Sequence, residues 1–409
     1  MQRIYLDANA TTPVLPEVVE AMLPYFTSSS GNPSSAHHSG QRARGAVEMA
    51  RIAVAKLLHC AAKEVVFTSG GTESNNLALL GVLQPYLDLK EPAHLITTQM
   101  EHHAVLYPAE SLEQRGIEVT YLAPNREGIL DPAAFQAALR PHTRLVSIMM
   151  ANNETGTIQP IGKVARIAKN YNANILFHTD AVQAAGKLPI DLSAEFKNVD
   201  LLSLSGHKMY APQGIGVLYV RDGVKLAPLF LGGPHERQRR AGTENVPGIV
   251  ALGHAAKLAQ QWLDSAPTDV SSRPEPNGRS GETRSSGPPQ LAALRDKLEA
   301  GLIAAIPGTV VNGSTQHRTP NTTHLRFPID HGEPLLYALD MQGVAVSFGS
   351  ACQSGATEPS HVLLAMGLTP AEARSSLRLS LSRLTTEEEI DHALNIIAAA
   401  VSRLQSIHA

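Results

Sequence analysis

Lys208 closes the run Ser205-Gly-His-Lys208 directly after the apolar segment Leu201-Leu-Ser-Leu204, and Asp180 follows Ile175-Leu-Phe177 within His178-Thr-Asp-Ala-Val-Gln183. Taken singly, such a lysine is solvated surface and such an aspartate is a helix N-cap. As a pair they have a sharper reading. They lie 28 residues apart, about one strand–helix–strand crossover, so both should reach neighbouring strand ends and face one crevice. A carboxylate at the end of a buried strand is costly unless something partners it.

Other polar groups fall at equivalent places. Thr68-Ser-Gly-Gly-Thr-Glu-Ser74 follows Val65-Val66-Phe67, and its glycines, with Gly71 and Thr72 opening a helix, make a cup of backbone amides suited to phosphate. An ordinary helix cap is the plainer reading, and the GxxxxGK[ST] spacing of a nucleotide-triphosphate loop is missing. Glu101-His-His-Ala104 follows His94-Leu-Ile-Thr97, which brings His102 to a strand end, although a histidine pair there can simply cap a helix. Ala151-Asn-Asn-Glu-Thr-Gly156 follows the strand-like Leu145-Val-Ser-Ile-Met149, and its asparagines can cap the next helix or offer an amide to a substrate carboxylate. In open α/β sheets ligands bind outside the carboxyl ends of the strands. A phosphate cup, an aspartate and a lysine on one sheet edge suit one ligand, pyridoxal phosphate. It needs a Schiff-base lysine, an acid for its pyridine nitrogen and a cradle for its phosphate.

The elements that must position these groups are legible as short apolar runs at 65–67, 94–97, 145–149, 175–177, 201–204 and 215–220, mostly unalternating, as buried strands of a largely parallel sheet are. Helical patterns lie between several of them, such as Ala43 to His59 with Val47, Ala50, Val54 and Leu57 on one face. The fold class is therefore α/β, with helices over both sheet faces. From Ser265 to Pro289, Pro, Gly and Ser supply 14 of 25 residues, too little apolar surface to offset ordering. We read a disordered insertion there, with an interdomain linker as the alternative. Beyond it come a helix from Leu291 to Ile306, strand-like Thr323–Phe327, a helix from Glu333 to Met341, Val344–Val346, a Gly/Ser-rich loop, Leu377–Leu379 and a helix from about Thr386. These suggest a smaller α+β domain.

With 409 residues the chain is long for one core, so two domains are expected. A formal net charge of -3, and no basic run with interleaved aromatics, argue against nucleic acid as a partner. The N-terminus lacks the apolar core of a signal peptide, and nothing nears the apolar length of a membrane span. Two distant cysteines, Cys60 and Cys352, exclude a disulfide framework and a CxxC-type metal site and favour a reducing compartment, so the expected location is cytoplasmic.

At these residues the sequence resembles the class V aminotransferase-like proteins, and within them the cysteine desulfurases of nitrogen fixation and iron–sulfur-cluster assembly. The matching motifs are Tyr5-Leu-Asp-Ala-Asn-Ala-Thr-Thr-Pro13, Gly31-Asn-Pro-Ser34, Thr68 to Ser74, Glu101-His102, Ser205-Gly-His-Lys-Met-Tyr210, Arg239-Arg-Ala-Gly-Thr-Glu-Asn245, Gly349-Ser-Ala-Cys352, Glu358 to Leu363, Ser376-Leu-Arg378 and Thr385 to Asp391. The resemblance implies a fold-type-I pyridoxal-phosphate architecture. A large domain at 15–255 would carry a mostly parallel seven-stranded sheet, and residues 1–14 would join 256–409 in the small one. It implies that Lys208 carries the cofactor and exchanges protons with the substrate, that Asp180 keeps the pyridine nitrogen protonated, and that His102 stacks on the ring. Gln183 would bond the phenolic oxygen, and Thr72, Ser205 and His207 the phosphate. Thr243 would reach the phosphate of a neighbouring subunit in a homodimer, and Asn153 and Arg378 would take the substrate carboxylate.

The resemblance further implies L-cysteine as substrate and Cys352 as the residue that receives its sulfur, for delivery to an iron–sulfur scaffold or another acceptor. No resident metal is implied, beyond passing contact of Cys352 with a cluster. The setting of Cys352 suits this: glycines flank it and apolar periodicity is missing, so the thiol could travel between two places. Cys60, beside Leu57 and Leu58, reads as a small buried hydrophobe. Phe348 departs from the family, where a small hydroxyl residue usually precedes Gly-Ser-Ala-Cys. Two other readings stay open: a selenocysteine lyase, which can dispense with the loop thiol, and a non-catalytic assembly subunit that kept the fold.

Overall fold

A computed structural model describes residues 3–265, 287–349 and 358–408. Cys352 and positions 266–286 of the expected insertion lie outside the described residues. In chain order the strands are β1 (Ile4–Tyr5), β2 (Val65–Thr68), β3 (His94–Thr98), β4 (Glu118–Leu122), β5 (Thr143–Ser147), β6 (Leu176–Asp180), β7 (Leu201–Ser205), β8 (Gly216–Val220), β9 (Val310–Val311), β10 (Thr322–Arg326), β11 (Val344–Ala345) and β12 (Ser376–Ser380).

The central sheet has seven strands in the order β2-β8-β7-β6-β5-β3-β4, and only β8 runs against its neighbours. The six runs read from the sequence are all strands. The seventh, β4, gave no apolar run because it is an edge strand with residues exposed or half-buried. Neighbouring side chains on a strand point to opposite faces, and the packing follows. Phe67, Ile96, Val146, Phe177 and Leu202 join one core beneath the helices His38–Leu58, Ile161–Tyr171 and Val246–Asp264. Val66, Leu95, Leu145 and Leu201 join another beneath Gly71–Leu89 and His103–Gln114.

A third core gathers the C-terminal part with the start of the chain. Ile4 and Leu6 pack with Leu298, Leu325, Leu335, Leu377 and Ile397. There β1 pairs in parallel with β11, and β12-β10-β9 form an antiparallel sheet. Phe348 packs against this core. The helix expected from Leu291 starts earlier, at Pro288, and corrects that end of the Pro/Gly/Ser-rich stretch. Proline is tolerated in a first turn, where no N–H is needed. Cys60 is half-buried against the first core, and burial pushes its thiol up to about 12. Among the described residues, no helix is long and apolar enough to cross a membrane.

Candidate active site

The carboxyl ends of β2, β3, β5, β6 and β7 open on one cleft of about 230 Å³, lined by Gly71, Thr72, His102, Asn153, Asp180, Gln183, Ser205, His207, Lys208 and Arg378 together with Asn9, Asn75 and Met149. Sequence distance gave no hint of how far its walls reach: Arg378 enters from the antiparallel sheet, and Asn9 from the N-terminal strip. Thr243 is exposed and does not line the cleft.

Asp180 is the last residue of β6 and is buried. Its Oδ2 accepts from Asn75 Nδ2 at 2.6 Å and its Oδ1 from the Val182 N–H at 2.9 Å. Both donors are neutral, so the groups bonded to this carboxylate leave its charge unmatched. Lys208 ends the short turn after β7, and its Nζ donates to the carbonyls of Asn9 and Ala10, each at 2.5 Å. His102 is at once the cap of the helix it opens and a wall of the cleft. Its Nδ1 accepts from the Ala104 N–H at 3.0 Å, which leaves Nε2 to carry the proton of the neutral ring. Burial lowers its pKa, with the Asp180 charge acting in the opposite direction. Asn152 does not cap the next helix, which begins at Ile161 behind Pro160; it closes a turn, accepting from the N–H groups of Glu154 and Thr155 at 2.9 and 3.0 Å, and Asn153 lines the cleft.

On the phosphate-cup side, Ser205 is buried and His207 Nδ1 meets Thr11 Oγ1 at 3.2 Å. Burial, then the nearby Lys208 and Lys187, push the His207 imidazole down to about 4, so it is neutral at pH 7. Gly71 has no room for a side chain, since a Cβ would come within 2.8 Å of Val182 Cγ2. At the far end, Arg378 is fully buried. Its Nη2 donates to Asp7 Oδ1 at 2.7 Å, and its Nη1 to the carbonyls of Asn153, at 2.9 Å, and Gly349.

Glu101 lies directly behind His102, fully buried. Its Oε1 accepts from Thr98 Oγ1 at 2.7 Å and the Met149 N–H at 2.9 Å, while its Oε2 has no partner among the described residues. Burial pushes its carboxyl up to about 8. Glu154 is also buried, accepts from Ser360 Oγ at 2.5 Å, and is pushed up to about 7 by burial. Gly349, at φ +129°, approaches so near that a Cβ would stand 2.6 Å from Glu154 Oε2.

Sequence reasoning passed over Asn9, Asn75 and Lys187. Asn9 falls inside the Tyr5–Pro13 motif, and its carbonyl receives both Lys208 Nζ and Gln183 Nε2. Asn75 stands one turn beyond Thr72 on the same helix, so its position was a usable signal.

A mostly parallel α/β sheet with a lysine, an aspartate and an amide cup at its carboxyl edge defines an enzyme class rather than one reaction. The model of the class-V aminotransferases matches residues 4–268 and 290–393, and the chain belongs to that family. Within it, cysteine desulfurase 2 of Trichormus variabilis is 47% identical over 409 residues, spanning 100% of this chain and 95% of that protein. The cysteine desulfurase IscS of Anaeromyxobacter dehalogenans is 47% identical over 407 residues, 99% of this chain and 94% of its own length. Among solved structures, a NifS-like protein superposes with a TM-score of 0.87 at 37% identity, covering 98% of this chain and 100% of that one. SspA in complex with cysteine superposes at 0.77 with 36% identity, covering 93% and 99%.

The family uses pyridoxal phosphate, and the residues present suit it. The buried Asp180 carboxylate is bonded only to neutral donors and faces the cleft, a place for a protonated ring nitrogen. Lys208 is within the same cleft, and Ser205, His207 and the start of the Gly71–Leu89 helix offer donors to a phosphate.

Proposed function

We propose that this chain is a cysteine desulfurase that removes the sulfur of L-cysteine, leaves L-alanine, and holds the sulfur as a persulfide on Cys352. The observation that carries this reading is the convergence of Lys208, Asp180, His102, Gln183 and Arg378 on one cleft. The chain that does so is 47% identical to cysteine desulfurases from end to end.

When bound, pyridoxal phosphate supplies an electron sink for charge that develops beside the substrate's α-carbon. In our reading Lys208 Nζ retains the cofactor and moves protons at the substrate's carbons. Asp180 holds a proton on the pyridine nitrogen. His102 lies against the ring with its Nε2 free for proton transfer, and Gln183 donates to the phenolic oxygen. The amides of Gly71 and Thr72, with Ser205 and His207, hold the phosphate, and Thr243 completes that site across a homodimer. Arg378 presents the planar fork that suits a carboxylate, and Asn153 adds an amide. The guanidinium is already braced by Asp7 and by two carbonyls, so it loses little freedom when substrate arrives. The Cys352 thiolate attacks the substrate's sulfur, the carbon–sulfur bond breaks, and the carbon takes a proton to become the methyl of alanine.

We assign residues 15–255 to the cofactor-binding domain and 1–14 with 256–409 to the smaller one, which the separate packing of Ile4 and Leu6 with the C-terminal core supports. The sulfur acceptor is an iron–sulfur scaffold or another carrier protein. A thiol that must stay reduced, and only two cysteines in the chain, favour the cytoplasm.

The test is Cys352→Ala. It should retain the cofactor and show the spectral change that L-cysteine causes on binding, yet form little alanine and pass on no sulfur. Desulfuration at the wild-type rate would remove the persulfide step and favour a selenocysteine-lyase type of reaction.

A further inference from the structure

Lys187 is a buried lysine for which the reaction above has no use. It is 6% exposed, and its one hydrogen-bond partner among the described residues is Gln183, whose Oε1 accepts from Nζ at 2.6 Å. No carboxylate pairs with it there. Burial pushes its pKa far down, and Lys208, Arg378 and Arg383 push in the same direction. A cation or amine in such a place is expensive to keep, which points to a task.

The task is visible in the other half of the Gln183 side chain. Its Nε2 donates to the Asn9 carbonyl at 3.0 Å, and Gln183 lines the cleft. A side-chain amide can turn end for end with almost no change of shape, so its hydrogen-bond partners decide which end faces which way. Reversal would set Oε1 against the Asn9 carbonyl oxygen and take away the acceptor that the Lys187 N–H now has. In the observed orientation every contact is matched, and the second N–H of Nε2 is left for the cleft.

We propose that Lys187 is a positioning residue that locks the Gln183 amide with its NH2 group toward the cleft, making Gln183 an obligatory donor to an anionic oxygen of the bound cofactor. This rests on the pyridoxal-phosphate reading of the cleft and adds the group that enforces one of its contacts. Removing Lys187 leaves Gln183 Oε1 buried without a donor, so only the Asn9 carbonyl still opposes reversal and the amide turns more readily to offer an acceptor where a donor is needed.

The test is a double-mutant cycle on the cofactor-loaded protein, read by the dissociation constant for pyridoxal phosphate and by the position and pH titration of the visible band. Lys187→Met should weaken retention about tenfold, the size of one hydrogen bond to a charged group, and move the band. In a Gln183→Ala background the same change should alter retention less than about twofold and leave the band where Gln183→Ala alone puts it. Lys187→Arg, which keeps a donor, should restore much of both properties. Equal factors in the two backgrounds, or a band unmoved by Lys187→Met, would overturn the proposal. Should Lys187→Met fail to fold, Gln183→Glu answers the question. It gives Lys187 a counter-ion, which offsets the oxygen it sets against the Asn9 carbonyl, and removes the donor from the cleft, so retention should fall about tenfold or more while the cofactor-free protein still unfolds in one cooperative transition. Unchanged retention in that variant would also overturn the proposal. A wild-type protein that takes up no pyridoxal phosphate would instead sink the reading of the cleft itself.

Discussion

Replacing Glu101 by glutamine should change how stability depends on pH by a predictable amount. The side chain is fully buried, has two donors on Oε1 and, among the described residues, nothing on Oε2, and its carboxyl is pushed up to about 8 because burial disfavours the charged form. In the unfolded chain the same group returns to its ordinary value of 4.5. A folded pKa above the unfolded one means that the native state holds the proton more tightly. The stabilisation is therefore complete below the unfolded value and disappears as pH rises through the folded one. Linkage puts the loss at about 1.4 kcal/mol between pH 7 and 9, and about 4 kcal/mol between pH 5 and 9. The Glu101→Gln side chain keeps an acceptor for Thr98 and Met149 but buries an amide NH2 with no acceptor, which costs at most about 1–3 kcal/mol relative to the protonated acid, whose own hydroxyl also lacks an acceptor among the described residues, and this cost does not vary with pH. Glu154, pushed up to about 7, titrates in both proteins and cancels in the difference. Urea unfolding of the cofactor-free wild type and variant from pH 5 to 9 should give a stability difference that moves steadily toward the variant, passes through zero below about pH 7, and favours the variant by about 1.4 kcal/mol more at pH 9 than at pH 7. A difference that stays flat would mean that Glu101 is already ionised in the fold, and the argument from its missing partner would be wrong.

Two further outcomes are expected. Thr243→Ala and Lys208→Ala subunits should each be poorly active, yet mixed dimers should recover one competent site if Thr243 serves its neighbour's cofactor; mixtures no better than either parent would place the whole site within one chain. Cys60→Ala should desulfurate L-cysteine at close to the wild-type rate, and at pH 8 a thiol reagent should label Cys352 and spare Cys60, whose thiol burial pushes up to about 12; rapid labelling of Cys60 would contradict that upward shift in its half-buried setting.

The candidate site was largely legible in the sequence because its chemistry is written locally. Lys208, Asp180, His102 and Asn153 each follow an apolar run within a few residues, and a parallel sheet turns that local fact into a shared location. One plainer alternative was also true: His102 caps its helix while lining the cleft, whereas Asn152 closes a turn and the next helix begins behind Pro160. For the same reason six strands of the central sheet could be read, since strands buried on both faces carry short, mostly unalternating apolar runs. Strand β4 could not, because one side of it meets solvent and its residues need not be apolar.

What only the tertiary structure decided is which groups hold the site in place. Asn9 receives Lys208 across 199 residues, Asp7 braces Arg378 across 371, and Asn75 meets Asp180 across 105. Such contacts leave no periodic or spacing signal, because a hydrogen bond constrains distance and direction in space and not separation along the chain. The partner that a buried polar group finds is chosen by how the layers close over it. Lys187 shows this most plainly: in sequence it is one more lysine after a turn, and only the burial that closes around Gln183 gives it a partner.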